Sequence, residues 1–369
     1  MMLRTKPPFR ADHAGSLLRP QKISEARAKF ARQQISADEL RRIEDMEIEK
    51  LVHKQSAIGL QLATDGELRR GSWHLDFFAG LSGCELYHSA ARSPDERPDA
   101  VRVVGAIDFP DDHPVLEEFR VLQRHAGIAH VTPKLTIPSP VMLHFYVGRA
   151  GTSPQAYPQL DGLLHDLAKA YRKAVRALYD AGCRYLQFDD TVWADLCSPD
   201  VVQQMRERGD NPDQLPQLYS RIINYAIAER PADMVITTHV CRSNGDSSSW
   251  LAAGGYEPIA ETLFARTNYD GYLLEYAEGA GGFAPLRFLP RGPKVAMIGA
   301  IAAQDGELES KDDLKRKLQE AAQFVPLEQL ALAPQSGFAF GEQSTPLSEQ
   351  AQWDKLRLAV EVAQEVWGR

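Results

Sequence analysis

The chain has 369 residues, 44% hydrophobic and 25% charged, which is typical of a globular protein with ample material for a core. Its formal net charge is −8 and its lysines and arginines form no stripe, which argues against a nucleic-acid partner. Its four scattered cysteines, the absence of an apolar leader and the lack of a long apolar stretch predict a cytoplasmic protein without a membrane partner. A homo-oligomer is compatible with the sequence, which does not fix the oligomeric state.

Short apolar runs alternate with longer amphipathic patterns along most of the chain. A brief strand ends in HAGSLLRP (13–20), a helix begins after an N-cap at Ser36, and the next strand ends in Asp-Gly-Glu (65–67). Residues from about 81 to 128 interrupt the alternation, and their pattern favours an inserted β-hairpin followed by a short helix.

The alternation then continues to the end of the chain. Strands are predicted at 130–140, 184–190, 234–241, 271–277, 294–303 and 327–338, with helices at 156–182, 198–230, 256–265, from Ser310 and at 347–367. About eight strands, each followed by a helix, predict one α/β domain over 1–369, a (β/α)8 TIM barrel with an insertion after the second strand. A doubly wound sheet is the alternative, but no GxGxxG follows the first strand.

Polar side chains collect where the predicted strands end. In a barrel all these ends face one mouth, where barrel enzymes carry out their chemistry. Any single acidic residue there could simply cap the next helix, but the whole set indicates a site whose carboxylates are compensated by a substrate ammonium or a metal. The residues concerned are His13, Ser16, Asp65, Glu67, Asp189, Asp190, His239, Cys241, Glu275 and Ser336.

The segment VITTHVCRSN contains the sharpest of these signals. Residues i and i+2 of a strand point to the same side, so His239 and Cys241 converge on one point. Imidazole nitrogen and thiolate sulfur are both ligands that zinc accepts. Alone, however, the pair is also typical of a core cysteine beside a hydrogen-bonded histidine.

The motifs HAGS, TDGELRR, LQFDD, THVC, LLEYA and APQSGF, in this order, resemble the catalytic barrel of cobalamin-independent methionine synthase. The resemblance is closest to short bacterial relatives with a single barrel. It implies a cytoplasmic zinc-dependent S-methyltransferase of methionine biosynthesis. Its zinc would activate a thiol, usually homocysteine, for attack on the methyl group of 5-methyltetrahydrofolate or a similar donor.

The resemblance also implies roles for individual residues. His239, Cys241 and Glu275 match three zinc ligands, and Ser336 stands at the position of the fourth. The substrate residues that it implies are Gly15 and Ser16 for the amino-acid carboxylate, Glu67 and Asp189 for its amino group, and Tyr146 beside the methyl donor. Trp193 lies in FDDTVWADL, where the long enzymes have Asp-Glu-Pro-Ala-Leu, and it could stack on the flat ring of the donor or pack in the core. The candidate proton donors to the folate nitrogen are Asp195 and Asp305, and His144 is also available.

Two further departures from the family pattern leave alternatives open. The family has Pro-x-Cys-Gly where this chain reads Pro-Gln-Ser-Gly at 334–337. Zinc could stay on three residues with an open position, bind weakly beside another nucleophile, or be lost from a barrel reused for binding. A histidine proposed as the acid in the long enzymes is also missing from GAIAAQDG (299–306).

The alternative functions follow from these departures. One is zinc-dependent alkyl transfer to another thiol, as in epoxyalkane:coenzyme M transferases, although Glu67 and Asp189 suit an ammonium better than a sulfonate. The other is a metal-free barrel that binds a small molecule, in which Cys241 could be replaced without consequence.

Overall fold

The computed structural model describes residues 4–89, 99–207, 209, 211–242, 255–276, 281–339 and 347–368. Its strands are β1 (Leu62–Ala63), β2 (Ser82–Tyr87), β3 (Ala100–Asp108), β4 (Thr132–Pro138), β5 (Tyr185–Asp190), β6 (Val235–Val240), β7 (Gly271–Glu275), β8 (Val295–Ile301) and β9 (Leu330–Pro334). Seven of them form a parallel sheet in the order β1-β4-β5-β6-β7-β8-β9. β2 and β3 pair antiparallel in a separate two-stranded sheet.

One short segment near the N-terminus touches both edges of the seven-stranded sheet. Ala11 bridges to Leu332 of β9, and Ser16 bridges to Gly66 just beyond β1, both in parallel orientation. Since the two edge strands share this segment as a neighbour, the sheet must curl. The prediction of an α/β fold built on a curled parallel sheet is therefore confirmed.

Helices connect most consecutive strands and pack on the sheet. They are α1 (Gln21–Ala31), α2 (Ala37–Ala57), α3 (Leu75–Ala79), α4 (Pro114–Ile128), α5 (Pro140–Val147), α6 (Leu160–Asp180), α7 (Val192–Asp195), α8 (Pro199–Glu207), α9 (Leu215–Ile227), α10 (Glu257–Ala260), α11 (Lys311–Ala321) and α12 (Glu349–Trp367). None of the helices within the described ranges is long and apolar enough to cross a membrane.

The sequence accounts for most of these elements. β5, β7, β8 and β9 are buried at every position, as expected of parallel strands covered on both faces. The predicted N-cap of α2 is confirmed, since Ser36 and Glu39 form a reciprocal capping box.

Some helical segments differ from the prediction. The helix expected at 256–265 is a short α10 that continues as a π-helix over Glu261–Arg266. α1 and α5 were not predicted. α5 begins at Pro140, directly after β4, with Pro at a position where its missing N–H costs nothing.

Candidate active site

Acidic and imidazole side chains meet at the carboxyl ends of three neighbouring strands. Asp189 of β5 lies opposite His239 of β6 in the register of the sheet, and Glu275 is the last residue of β7. Because the strands are parallel, all three side chains lie at the same edge of the sheet. His239 and Glu275 are almost completely buried.

Both ring nitrogens of His239 face a carboxylate. Nε2 lies 3.0 Å from Glu275 Oε1 and Nδ1 lies 3.3 Å from Asp189 Oδ1. Burial alone would lower the pKa of His239, but the hydrogen bonds and charges of these two carboxylates outweigh it and raise the pKa to about 9. Positive charge is therefore favoured between Asp189 and Glu275.

The third member of this group is Cys241, two residues beyond His239 and partly exposed. One ligand atom from each of His239, Cys241 and Glu275 lies within 4.8 Å of the other two. Ligand atoms that share a tetrahedral zinc are roughly 3.5 Å apart, so small side-chain adjustments would bring the three into range. Their nitrogen, sulfur and oxygen donors form a set that zinc accepts, and these residues fit a zinc ion.

Ser336 is buried on the segment that follows β9. Its hydroxyl donates to the carbonyl of Gly337, 3.1 Å away. The preceding residue, Gln335, donates through its amide to the carbonyl of Tyr276 at 3.0 Å, which ties this segment to the residue after Glu275. Gly337 allows this segment to pass close to Ser16, because a Cβ at Gly337 would lie 1.8 Å from Ser16 Oγ.

A cleft is formed by the loop that contains Ser16 and by the residues that follow β1. The hydroxyl of Thr64 donates to the carbonyl of Gly15 at 2.6 Å, and Ser16 bridges to Gly66. Gly15 has a φ of +132°, and a Cβ there would lie 2.6 Å from Thr136 Cγ2. A glycine is therefore required where this loop passes over β4.

Glu67 points into this cleft from a left-handed backbone conformation with a φ of 58°. Its Oε1 accepts from Thr136 Oγ1 at 2.7 Å and lies 3.2 Å from a guanidinium nitrogen of Arg70. Burial raises the pKa of Glu67 to about 7; Arg70 opposes this shift and the charge of Asp189 adds to it. Two neighbouring carboxylates repel each other, so this arrangement favours a cation between them.

Asp189 is held by a residue inside the sheet. Gln187 donates through Nε2 to Asp189 Oδ1 at 2.7 Å and to the carbonyl of Ala14 at 2.6 Å. One amide thus connects a predicted substrate carboxylate to the Gly15–Ser16 loop. Neither Gln187 nor Thr136 was predicted, and only their inward-facing positions in strands could have indicated them.

A hydrogen-bonded group lies beyond the end of β5. The hydroxyl of Tyr146 on α5 donates to Asp195 Oδ2 at 3.1 Å and, having no second proton, accepts from Thr191 Oγ1 at 2.5 Å. Burial raises the pKa of Asp195 to about 6, and the Tyr146 hydrogen bond opposes this shift. The predicted residues Tyr146 and Asp195 are therefore in direct contact.

Tyr146 also lines a cavity of about 530 Å³ between α3, α5 and the β2–β3 hairpin. Trp73 lines both this cavity and the cleft that contains Ser16 and Glu67. The two spaces therefore share Trp73 as a wall. Their adjacency suits two reactants bound side by side.

Two predicted site residues lie elsewhere. Trp193 is fully buried and is not among the residues that line either space. Asp305 follows β8, and its Oδ1 lies 3.3 Å from Lys355 Nζ on α12. His144 bonds through Nδ1 to the hydroxyl of Tyr219 at 3.0 Å. The proposed roles of Trp193 and Asp305 remain predictions.

The chain matches the family described as "Cobalamin-independent synthase, Catalytic domain" over residues 12–365. It is 45% identical over 370 residues to YxjG, an uncharacterized protein of Bacillus subtilis (strain 168), with 99% of this chain and 96% of YxjG covered.

Solved structures show the same similarity. A Listeria monocytogenes protein, provisionally named a vitamin-B12-independent methionine synthase, superposes with a TM-score of 0.82 at 42% identity, covering 99% of this chain and 100% of that one. A B12-independent methionine synthase from Shewanella sp. W3-18-1, solved with selenomethionine, superposes with a TM-score of 0.73 at 21% identity and covers 97% of both chains.

Proposed function

This chain belongs to the cobalamin-independent methionine synthase family, and from that premise we propose that it transfers a methyl group from 5-methyltetrahydrofolate or a similar donor to homocysteine or another small thiol. The observation that carries the proposal is the grouping of His239, Cys241 and Glu275 within 4.8 Å of one another, at the strand ends of the curled sheet. The residues that bridge its edges would complete a (β/α)8 barrel.

The thiol of a free amino acid is mostly protonated at neutral pH, and only the thiolate is an effective nucleophile. When bound by His239, Cys241 and Glu275, zinc supplies a Lewis acid that lowers the pKa of a substrate thiol. Asp189 keeps the His239 ring oriented through Nδ1, at 3.3 Å. Ser336 leaves room for the thiol, since three protein ligands are normal for catalytic zinc.

The cleft beside this group suits the amino-acid end of the thiol. Glu67 and Asp189 carry the carboxylates that would accept hydrogen bonds from its ammonium. The turn at Gly15 and Ser16 would meet its carboxylate, with the Ser16 hydroxyl released from the carbonyl of Ala339. Retention of both acidic residues supports an amino thiol rather than a sulfonate thiol as substrate.

The methyl donor would occupy the 530 Å³ cavity, with Tyr146 as its aromatic contact. The thiolate sulfur attacks the methyl carbon, the bond from carbon to the donor nitrogen breaks, and the electron pair stays on nitrogen. A folate nitrogen then needs a proton. Asp195 suits that role, because with a pKa of about 6 it carries a proton in about a tenth of molecules at pH 7.

The metal content of protein purified without chelator tests the proposal. We expect about one zinc per chain in the wild type, none in Cys241→Ser, and an unchanged content in Cys84→Ser, whose partly exposed cysteine lies on β2. Methionine formation from homocysteine and 5-methyltetrahydrofolate should follow the metal content. A folded, metal-free wild type that still binds a small molecule would contradict the proposal and favour a binding barrel.

A further inference from the structure

Tyr146 and Thr191, whose hydroxyls share a hydrogen bond, both line the 530 Å³ cavity. Tyr146 lies on α5, the helix that follows β4, and Thr191 directly follows β5, which pairs with β4. Asp195, on α7, is not among the described residues that line the cavity. Its carboxylate is instead connected to the cavity wall through the hydroxyl of Tyr146, to which it is hydrogen-bonded.

The Tyr146 hydroxyl has different partners in the two protonation states of Asp195. While Asp195 is ionised, Tyr146 donates its proton to Oδ2 at 3.1 Å and accepts from Thr191 Oγ1 at 2.5 Å. Once Asp195 is protonated, its carboxyl group becomes a donor, and the Tyr146 oxygen can accept from both neighbours. The phenolic proton is then available for donation to a ligand in the cavity.

A phenol at this position is a poor acid by itself. Burial raises the pKa of Tyr146 above its ordinary value, and the charge of Asp195 adds to the shift. Burial raises the pKa of Asp195 as well, but only to about 6. The other titratable groups that interact with Asp195 are Asp190 at the end of β5 and Cys197 after α7, and Arg242 in turn acts on Cys197. Asp195 is therefore the better proton source, and Tyr146 can give up its proton only if it receives another one at once.

Building on the proposed methyl transfer, we propose that Tyr146 is a catalytic residue that relays the proton of Asp195 to the nitrogen of the methyl donor. As the thiolate sulfur bonds to the methyl carbon, the bond from carbon to nitrogen breaks and its electron pair stays on nitrogen. The Tyr146 proton passes to that nitrogen, and the Asp195 proton passes to the Tyr146 oxygen. Tyr146 ends as a neutral phenol and Asp195 as a carboxylate, which water reprotonates before the next turnover.

Removal of one oxygen atom separates the relay from the aromatic contact. Tyr146→Phe keeps the ring, so with the zinc-loaded full chain we expect an unchanged KM for 5-methyltetrahydrofolate. Its rate of methyl transfer in a single turnover should fall about 100-fold or more, as is usual when general acid catalysis is lost. Tyr225→Phe changes a tyrosine of α9 that does not line the cavity, and it should transfer at the wild-type rate.

Two further readouts distinguish a relay from a structural role. Asp195→Asn should lower the rate by a similar factor and the double variant by no more, because the relay fails when either member is lost. The ratio of the wild-type rate to the Tyr146→Phe rate should be largest below pH 6 and shrink as pH rises, because the relay needs protonated Asp195. The zinc-bound thiolate is common to both proteins, so its own pH dependence cancels in this ratio.

A Tyr146→Phe variant that transfers the methyl group as fast as the wild type would overturn the relay and leave the methyl transfer intact. Single-variant effects that multiply in the double variant, or a rate ratio that is independent of pH, would also overturn it. A zinc-loaded wild type that forms no methionine from homocysteine and 5-methyltetrahydrofolate would instead overturn the proposed methyl transfer, and the relay with it.

Discussion

Ser336 is the residue at which this chain departs most clearly from the metal site that its sequence resembles. It is buried, and its hydroxyl donates a hydrogen bond to the carbonyl of Gly337. A serine hydroxyl is far less acidic than a thiol and is a poor zinc ligand at neutral pH. The composition of the site therefore predicts three protein ligands and a weaker hold on the metal than four would give.

Replacing this serine with the sulfur ligand tests that prediction. We expect Ser336→Cys to raise zinc affinity by at least 10-fold, measured by competition with a chromophoric chelator, because a thiolate would fill the fourth position. The same substitution at Ser220, which is buried on α9, should leave the affinity unchanged. An unchanged affinity in Ser336→Cys would show that the residue does not face the metal.

A mutation at Glu67 can distinguish binding of the substrate amino group from structural support of the cleft. Its carboxylate lies in the cleft proposed for the substrate ammonium, in contact with Thr136 and Arg70. We expect Glu67→Gln to raise KM for homocysteine roughly 10- to 100-fold, since hydrogen bonds to charged groups contribute about 1.5–3 kcal/mol.

The des-amino thiol 4-mercaptobutyrate provides the control for this substitution. It lacks the ammonium, so its KM should be similar in the wild type and in Glu67→Gln. An equal rise in KM for both thiols would mean that Glu67 supports the structure of the cleft and does not bind the amino group.

At the scale of elements, the site depends on strands that end together and on the helices that follow them. α4 begins at an N-cap formed by a histidine. His113 Nδ1 accepts from the backbone N–H of Val115 at 3.2 Å, and its Nε2 bonds to the carbonyl of Phe77 at 3.0 Å. This arrangement requires a neutral ring, with the proton on Nε2.

Acid should therefore weaken this cap. Burial lowers the pKa of His113 to about 4, opposed by its bond to Phe77, whereas the unfolded chain has a pKa of about 6.5. Between these values the unfolded state binds the extra proton, so this contribution to stability is present above pH 6.5 and is lost as pH falls towards 4. In His113→Asn, which can still cap, we expect a smaller fall in the thermal unfolding midpoint between pH 7 and pH 4 than in the wild type.

A matched substitution at His53, an exposed residue of α2, should reproduce the wild-type pH dependence. Parallel curves for the wild type and His113→Asn would contradict the proposed titration of the cap.

At the scale of the whole molecule, the N-terminal segment is anchored inside the curled sheet. Lys134 and Asp12 are completely buried and lie 2.6 Å apart, and Lys134 also donates to the carbonyl of His13 at 2.6 Å. The hydroxyl of Tyr185 donates to the second oxygen of Asp12 at 2.5 Å. This network fixes the segment that bridges the two edges of the sheet and leads into Gly15 and Ser16.

Breaking the network should affect the stability of the entire fold. Lys134→Met leaves the Asp12 carboxylate buried without its counter-charge, and we expect the free energy of unfolding to fall by about 3–5 kcal/mol in denaturant titrations. Arg102→Met, which removes an exposed partner of Glu85, should have a much smaller effect. If both substitutions lowered the free energy of unfolding by a similarly small amount, the buried Lys134–Asp12 pair would not be essential to the curled sheet.

Much of the architecture follows from the sequence because it is written in local patterns. Alternating apolar runs and amphipathic stretches predicted the strands of the parallel sheet and most helices, and Ser36 predicted the start of α2. The first predicted strand, which ends in HAGSLLRP, is reduced to isolated bridges at Ala11 and Ser16. α1, α5 and the π-helical turn at Glu261–Arg266 were missed. α5 is apolar almost throughout, so it has little amphipathic pattern to reveal a helix.

The sequence by itself also predicted that His239, Cys241 and Glu275 form a candidate metal site, since the i, i+2 spacing of His239 and Cys241 follows from strand geometry and Glu275 was matched through the family resemblance. Only the tertiary structure decided the partners from distant segments: Thr136 on Glu67, Gln187 on the carbonyl of Ala14, Tyr146 on Asp195, and Trp73 between the two spaces. The physical reason is that side-chain periodicity fixes the face on which a residue lies, whereas contacts across the sheet depend on how all the strands curl together.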